Sequence, residues 1–380
     1  MTAHRTTTVL LLAASALLST GCGGPTKAGT EARTAARQRM EKASSVIVYD
    51  QARQSFESGQ LDRALKQIDE AILRSPEEPR SWILRGRILL EAGRLEPALA
   101  SFEKASTLRP ESAEAQYYQG IVHERWFEPE KALVAYAKAT ELDEAKVAYL
   151  LAWAETMVAL RRYEEVKATL GSKLTRFENS APLHQLLGQV AMLTDDPEDA
   201  VRHFNRARLI DPSIPMILEN LVRARFAAGQ WQACLEDVRR LQREGEGGRT
   251  VARMRLEGRC LVMLGRHDDA RAIFAQITRE SPEDTQAWID LAAASWELGE
   301  LARVQSAAQR LLRLAPQRYE GYVFLGLVEE ARGDAASAER LFQRATALAD
   351  GRGEVAGLIG QLSAHAPVGR VSAEPSVRLE

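Results

Sequence analysis

Apolar and small residues recur along this chain with a helical spacing and, above that, with a period of 34 residues. From Pro79 to Ser112, counting Pro79 as offset 1, Trp82, Gly86, Gly93, Ala98, Phe102, Ala105 and Pro110 stand at offsets 4, 8, 15, 20, 24, 27 and 32. One period later Gly120, Ala132, Tyr136 and Ala139 take offsets 8, 20, 24 and 27. The pattern returns at His184, Leu187, Gly188, Ala200, Phe204, Ala207 and Pro212, and again at Gly258, Gly265, Ala270, Phe274 and Pro282. Its last occurrence is Tyr322, Leu325, Gly326, Gly333, Ala338, Phe342 and Ala345. A self-repeat of this length predicts an all-α array in which each unit is one helical hairpin. Nine units follow, at 45–78, 79–112, 113–146, 147–180, 181–214, 215–250, 251–284, 285–318 and 319–352, about four-fifths of the chain.

Each recurring position has an expected task. The small residue at offset 8 is expected to let the second helix approach at the offset-20 alanine. Wide residues at offsets 4 and 24 should fill the gap to the next hairpin, so Trp82 and Phe204 are expected to be buried. Glycine near offset 15 suits the turn between helices, and proline near offset 32 ends the second helix. One hairpin cannot bury its apolar face alone, so the units should stack. The pattern is weakest in the fourth unit, with Val166 and Lys173 at offsets 20 and 27, and in the sixth, where Gly245-Glu246-Gly247-Gly248 adds two residues. Beyond the array, apolar residues at 355, 358, 359 and 362 predict a capping helix over 353–365, and the polar stretch 366–380 is expected to be disordered.

The repeat resembles the tetratricopeptide repeat family. The resemblance implies a right-handed superhelical α-solenoid of about nine helix-turn-helix repeats with a C-terminal capping helix. It also implies that the first helices line a concave groove, presenting offsets 2, 5, 9 and 12 to a protein or peptide partner.

At the N-terminus, Val9 to Leu18 are apolar apart from Ser15 and follow Arg5. Ten residues rise only about 15 Å as helix, half of a bilayer's hydrocarbon core, so the segment reads as a signal peptide and not a span. Small residues Ser19, Thr20 and Gly21 precede Cys22. This arrangement resembles a bacterial lipoprotein signal, although Ser19 stands where that family prefers leucine. The resemblance implies removal of residues 1–21, lipidation of the Cys22 thiol, and a polar tether over 22–44. Gly23, where aspartate would favour inner-membrane retention, points to the outer membrane facing the periplasm.

Composition narrows the chemistry. Hydrophobic residues are 45% and charged residues 27%, as in a folded protein. Fifty Lys plus Arg against 52 Asp plus Glu leave a net charge of −2, so no global positive field holds a phosphate backbone and nucleic acid is not an expected partner. Three cysteines and six histidines, none paired at ligand spacing, point to no metal site. His184 takes offset 4, a packing position. No G-x-S-x-G, H-E-x-x-H or phosphate-binding glycine loop occurs, so no catalytic residue and no cofactor are expected and the chain reads as non-enzymatic. Cys234 and Cys260 are either two reduced, buried thiols or a disulfide between the sixth and seventh units; spacing leaves both open.

Two charged clusters mark the expected groove. Arg53 and Arg87, beside Tyr49 and Tyr117, suit an acidic peptide, and Arg223, Arg255 and Arg259, with Asn220 nearby, suit a carboxylate or phosphorylated group. Ile83, Leu90 and Trp296 add apolar anchors. The competing reading pairs the arginines with Glu57, Glu91, Glu219 or Glu257 on a solvated face. The family's chaperone-tail clamp, a lysine at offset 5 and an asparagine at offset 9, is absent. The expected function is a lipid-anchored envelope scaffold that binds partner proteins and assists assembly of a pilus, secretin, outer-membrane or exopolysaccharide machine. The alternatives are a soluble intracellular co-chaperone or adaptor, and a periplasmic glycan or peptidoglycan binder.

Overall fold

The computed structural model describes residues 26–244, 247–349 and 352–364. The signal segment, Cys22 and the tail from 366 therefore lie outside the described residues. Among those described, the secondary structure is nineteen α-helices and no strand. They alternate as hairpins: α1 Lys27–Glu57 with α2 Leu61–Arg74, α3 Pro79–Glu91 with α4 Leu95–Leu108, α5 Ala113–Arg125 with α6 Pro129–Leu142, and α7 Val147–Ala159 with α8 Tyr163–Lys173. Then follow α9 Ala181–Leu193 with α10 Pro197–Ile210, α11 Pro215–Ala227 with α12 Trp231–Glu244, α13 Val251–Met263 with α14 His267–Glu280, α15 Thr285–Glu297 with α16 Leu301–Leu314, and α17 Tyr319–Ala331 with α18 Ala335–Leu348. A last helix, α19, covers Arg352–Ala364. The chain divides into two compact units, one ending at Val166 and one beginning at Lys167. None of the described helices is long and apolar enough to cross a membrane.

Each hairpin is closed by a single interlock. A Cβ on Gly86 would lie 2.4 Å from the ring of Phe102, and the same holds for Gly120 against Tyr136, at 2.4 Å, and Gly188 against Phe204, at 2.7 Å. Gly258 against Phe274 and Gly326 against Phe342, both at 2.5 Å, complete the set. The partner of offset 8 is thus the aromatic at offset 24 of the same hairpin and not offset 20, while the ring can also reach the next hairpin, as Phe102 does by stacking on Tyr118 at 5.2 Å. The remaining units obey the same rule with smaller rings replaced by aliphatics. Where offset 24 is Ile68, Leu170, Val238 or Ala308, offset 8 is Ala52, Ala154, Val222 or Ala292. Offset 20 is buried in every unit, by Ala64, Ala98, Ala132, Val166, Ala200, Cys234, Ala270, Val304 and Ala338.

Offset 4 packs between hairpins as expected, Trp82 lying against the cores on both sides, and adds a hydrogen bond. Trp82 is only half-buried, and its Nε1–H donates to the Pro76 carbonyl at 2.8 Å. Trp288 donates likewise to Pro282 at 3.0 Å and Tyr322 Oη to Pro316 at 3.3 Å. These side chains clip the residue at offset 32 of the preceding hairpin, giving a loop carbonyl that lies outside any helix its hydrogen-bond partner. Phe204, in contrast, is 1% exposed.

The turn between the two helices of a hairpin requires a left-handed residue at offset 15. Gly59, Gly93, Gly229, Gly265, Gly299 and Gly333 supply it, with φ from 70° to 88°. In three successive units the same conformation is carried by Phe127, Arg161 and Asp195, with φ of 58°, 60° and 57°. An L side chain there costs about 1–2 kcal/mol.

Cys234 on α12 and Cys260 on α13 are both fully buried free thiols whose sulfurs are 3.2 Å apart, with Cys260 donating to Cys234. At the C-terminus, α19 buries Val355 and Leu362 and packs on α15, α17 and α18.

Two outcomes are expected. Gly188→Ala should cost about 1–3 kcal/mol in denaturant unfolding, and adding Phe204→Leu should cost less than the two single changes summed, because Ala with Leu is the pair already used at Ala154 and Leu170. Arg161→Gly should raise stability by about 1 kcal/mol, and Gly93→Ala should lower it by a similar amount.

Candidate functional site

In the second unit, α11 and α13 are the first helices of neighbouring hairpins and bound a pocket of about 380 Å³. Glu219, Arg223, Arg253, Arg255 and Arg259 line it, with Val222, Leu241 and Leu256 as its apolar wall. The arginines are not equivalent. Arg253, which the sequence did not single out, pairs with Glu219 at 2.9 Å and donates to the Gly248 carbonyl at 2.7 Å, closing the irregular turn after α12. Arg255 is bound to Asp284 and lies 3.3 Å from Asp290, so its charge is already matched, which corrects its expected role as a free anion receptor. Arg259 reaches Asp290 only at 4.0 Å. Arg223 is exposed and makes no hydrogen bond or ion pair among the described residues. Burial holds the Asp290 carboxyl above the usual range, against donation by Gln286 and the charges of Arg259 and Arg255. Asn220 is half-buried and is not among the residues lining the pocket. Glu257, an expected partner for these arginines, is taken instead by Arg239 at 2.9 Å and Gln242 at 3.0 Å.

In the first unit the four residues of the expected cluster have different partners. Arg53 is exposed and pairs along its own helix with Asp50 at 3.4 Å and Glu57 at 4.0 Å. Tyr49 lies under the Arg80 guanidinium, 5.9 Å from ring centroid to Cζ. Arg87 lies between the rings of Phe56, at 5.3 Å, and Tyr118, at 5.4 Å, with no carboxylate partner among the described residues. It is held by cation–π contact and not by Glu91. Tyr117 belongs to another group, with ring centroids 5.4 Å from Tyr118, 5.6 Å from Tyr136 and 4.9 Å from Tyr149. Burial, with the charges of Glu114 and Asp143 nearby, pushes the Tyr149 phenol up to about 12. Ile83 and Leu90 are buried in the core and present no open surface.

Trp296 is a further correction. It is 6% exposed, and its Nε1–H donates to the Leu362 carbonyl at 2.9 Å. The face expected to be open at this point is covered by α19.

Two of the histidines, on separate helices as expected, meet across a hairpin. His184 Nδ1 and His203 Nδ1 face one another at 3.1 Å, on the two helices of one hairpin. His184 Nε2 meets the Glu178 carbonyl at 3.1 Å, so it donates there and its Nδ1 accepts from His203. On its other side His203 Nε2 lies 3.4 Å from Asp199, which also pairs with Arg202 at 2.6 Å and Lys167 at 3.4 Å. The signal was available in the sequence: offsets 4 and 23 lie on facing helices of the same unit. Among the described residues no group of three or more His, Cys, Asp or Glu is placed to hold a metal ion.

Two segments match family models described as tetratricopeptide repeat, residues 49–107 and 261–322. With the helical hairpins above, the fold is a tetratricopeptide-repeat α-solenoid. No curated protein matches the chain. Among solved structures, PilW, a type IV pilus biogenesis factor, is 21% identical over 53% of this chain and 93% of its own, with a TM-score of 0.47. The pilF protein of Pseudomonas aeruginosa is 22% identical over 54% and 92%, with a TM-score of 0.43. A tetratricopeptide repeat protein of Parabacteroides merdae is 17% identical over 66% and 98%, with a TM-score of 0.45.

The His184–His203 pair gives a pH expectation. Burial holds both imidazoles below the usual histidine range, with Asp199 opposing it at His203. Below the ordinary value of about 6.5 the unfolded chain binds protons that the folded one resists, so this contribution is complete above that pH and is lost as pH falls. The melting temperature of the intact chain should drop between about pH 7 and pH 5, and His184→Gln with His203→Gln should flatten that slope.

Proposed function

We propose that this chain is a non-enzymatic adaptor that binds partner proteins or peptides on the face shared by the first helices, and that it does so anchored by lipid at Cys22 in a bacterial cell envelope. The observation that carries the binding half is Arg223: an exposed guanidinium without a partner among the described residues, at the lip of an apolar-walled pocket. Beside it Arg259 is only loosely held, while Arg253 and Arg255 are fixed by Glu219, Asp284 and Asp290 and keep the wall rigid. Two guanidiniums able to turn toward an incoming carboxylate or phosphoryl group, above Val222 and Leu256, suit an acidic segment with an apolar neighbour. The reading involves no bond made or broken.

The envelope half rests on the N-terminal pattern, an apolar segment too short to span followed by Ser19, Thr20, Gly21 and Cys22. An outer-membrane position facing the periplasm, and service to an assembling envelope machine, extend the same reading. A glycan-binding role has less support, because Trp296 lies beneath α19 and offers no aromatic platform.

A photoreactive side chain placed at Asn220 in cells should give a discrete protein adduct, and one at the exposed Leu209 of α10 should not. Charge reversal by Arg223→Glu and Arg259→Glu should remove the adduct; an adduct that persists undiminished rules the pocket out. Fatty-acid labelling should be present in the wild type and lost in Cys22→Ala, and equal labelling of both would remove the lipid anchor from this reading.

A further inference from the structure

The first unit carries a second pocket of opposite charge. It measures about 880 Å³ and lies between α5 and α7, the first helices of adjacent hairpins, and the turn that follows α5. Ile121, Pro129 and Ala159 form its apolar wall, and Phe127 lies at its mouth with a ring that is 92% exposed. Glu124 and Glu155 also line it, and neither pairs with a cation among the described residues. Glu124 accepts only the Tyr136 hydroxyl, at 2.7 Å. The one guanidinium of the lining, Arg125, donates to the Leu90 carbonyl at 2.8 Å, across in the preceding hairpin. Some carboxylates of this unit are matched, as Asp69 is by Arg85 and Glu128 by Lys131. The pair at this pocket is not, and burial with the charge of Glu124 holds the Glu155 carboxyl above its usual range.

An apolar ligand alone would bury Phe127 and Ile121 but desolvate two carboxylates without compensation, and an acidic one would be repelled. A long basic side chain meets both demands, its methylene stem on the wall and its charge at the carboxylates. We propose that this pocket docks a partner protein segment in which a lysine or arginine stands next to an apolar residue, the cation lying between Glu124 and Glu155 and the apolar side chain covering Phe127. The inference rests on the proposed reading of the first-helix face as a protein-binding surface but not on the Arg223 pocket, which lies in the other unit and carries the opposite charge.

Panning a random-peptide display library on the intact chain tests it. The selected peptides should share a Lys or Arg beside an apolar residue, and a synthetic consensus peptide should bind with an affinity that falls as salt rises. Glu124→Gln with Glu155→Gln should weaken that peptide by about tenfold or more, as loss of a close charge pair does. Phe127→Gly, which suits the left-handed turn, should weaken it as well. Arg161→Gly, the same backbone change one hairpin on, should leave it unaltered, which separates contact from turn chemistry. Arg223→Glu should also leave it unaltered. Selected peptides without basic residues, or a consensus peptide indifferent to the glutamate changes, would overturn the proposal. An acidic consensus lost only in Arg223→Glu would do so too while supporting the second-unit pocket.

Discussion

The contact on which the architecture depends is the edge of an offset-24 ring lying where an offset-8 Cβ would otherwise be. A ring and a Cβ cannot share that space at 2.4–2.7 Å, so glycine and the aromatic are selected together. Where offset 24 is Leu170 or Val238 and no ring stands there, offset 8 carries a side chain, Ala154 or Val222. The glycine thus follows the ring opposite it, not the repeat as such. Both positions are consumed by the interior, and so is offset 20. The chemistry of the exposed face falls to the remaining first-helix positions.

Those positions are filled in two ways. Some of their charges are matched within the fold and act as braces: Arg253 ties α13 to α11 through Glu219, and Arg255 ties it to the start of α15 through Asp284. Others are left without a counter-charge, Arg223 in one unit and Glu124 with Glu155 in the other. Surface pairs add little to stability, usually less than about 1 kcal/mol. Their absence at two pockets costs the fold correspondingly little and leaves those charges available to a partner. The same reasoning separates Arg87, whose charge is satisfied by two aromatic faces, from a receptor for acidic peptides.

The hairpin fold was legible because it is written many times: the recurring glycine, alanine and aromatic positions all derive from one packing unit. The site was legible only in part, because offset arithmetic gives the face a side chain starts from and not what reaches it. Arg255 was placed correctly on its helix, but Asp284 closes the same unit and Asp290 lies in the following one, and no periodic rule announces that they reach it. Trp296 fits the open-face pattern, and only the return of α19 shows that it is covered. The pairing of His184 with His203 was missed because ligand-spacing rules search along one helix, while these residues face each other across a hairpin. Phe127 was passed over at offset 15, where a turn glycine is the usual residue.

The covering of Trp296 has its own implication for the face. Within the second unit α19 is a segment laid on α15 and α17, anchored by a buried Leu362 and Val355 and by one hydrogen bond from an indole to a backbone carbonyl. That is the chemistry any docked segment would need: apolar side chains in the gaps between first helices, and a polar group to fix the register. The chain thus contains a worked instance of its first-helix face holding a helix. Where the array ends, the occupant is its own. At the two pockets with unmatched charge no element of the described chain fills that role, and the sign of the charge at each sets which kind of segment can take it.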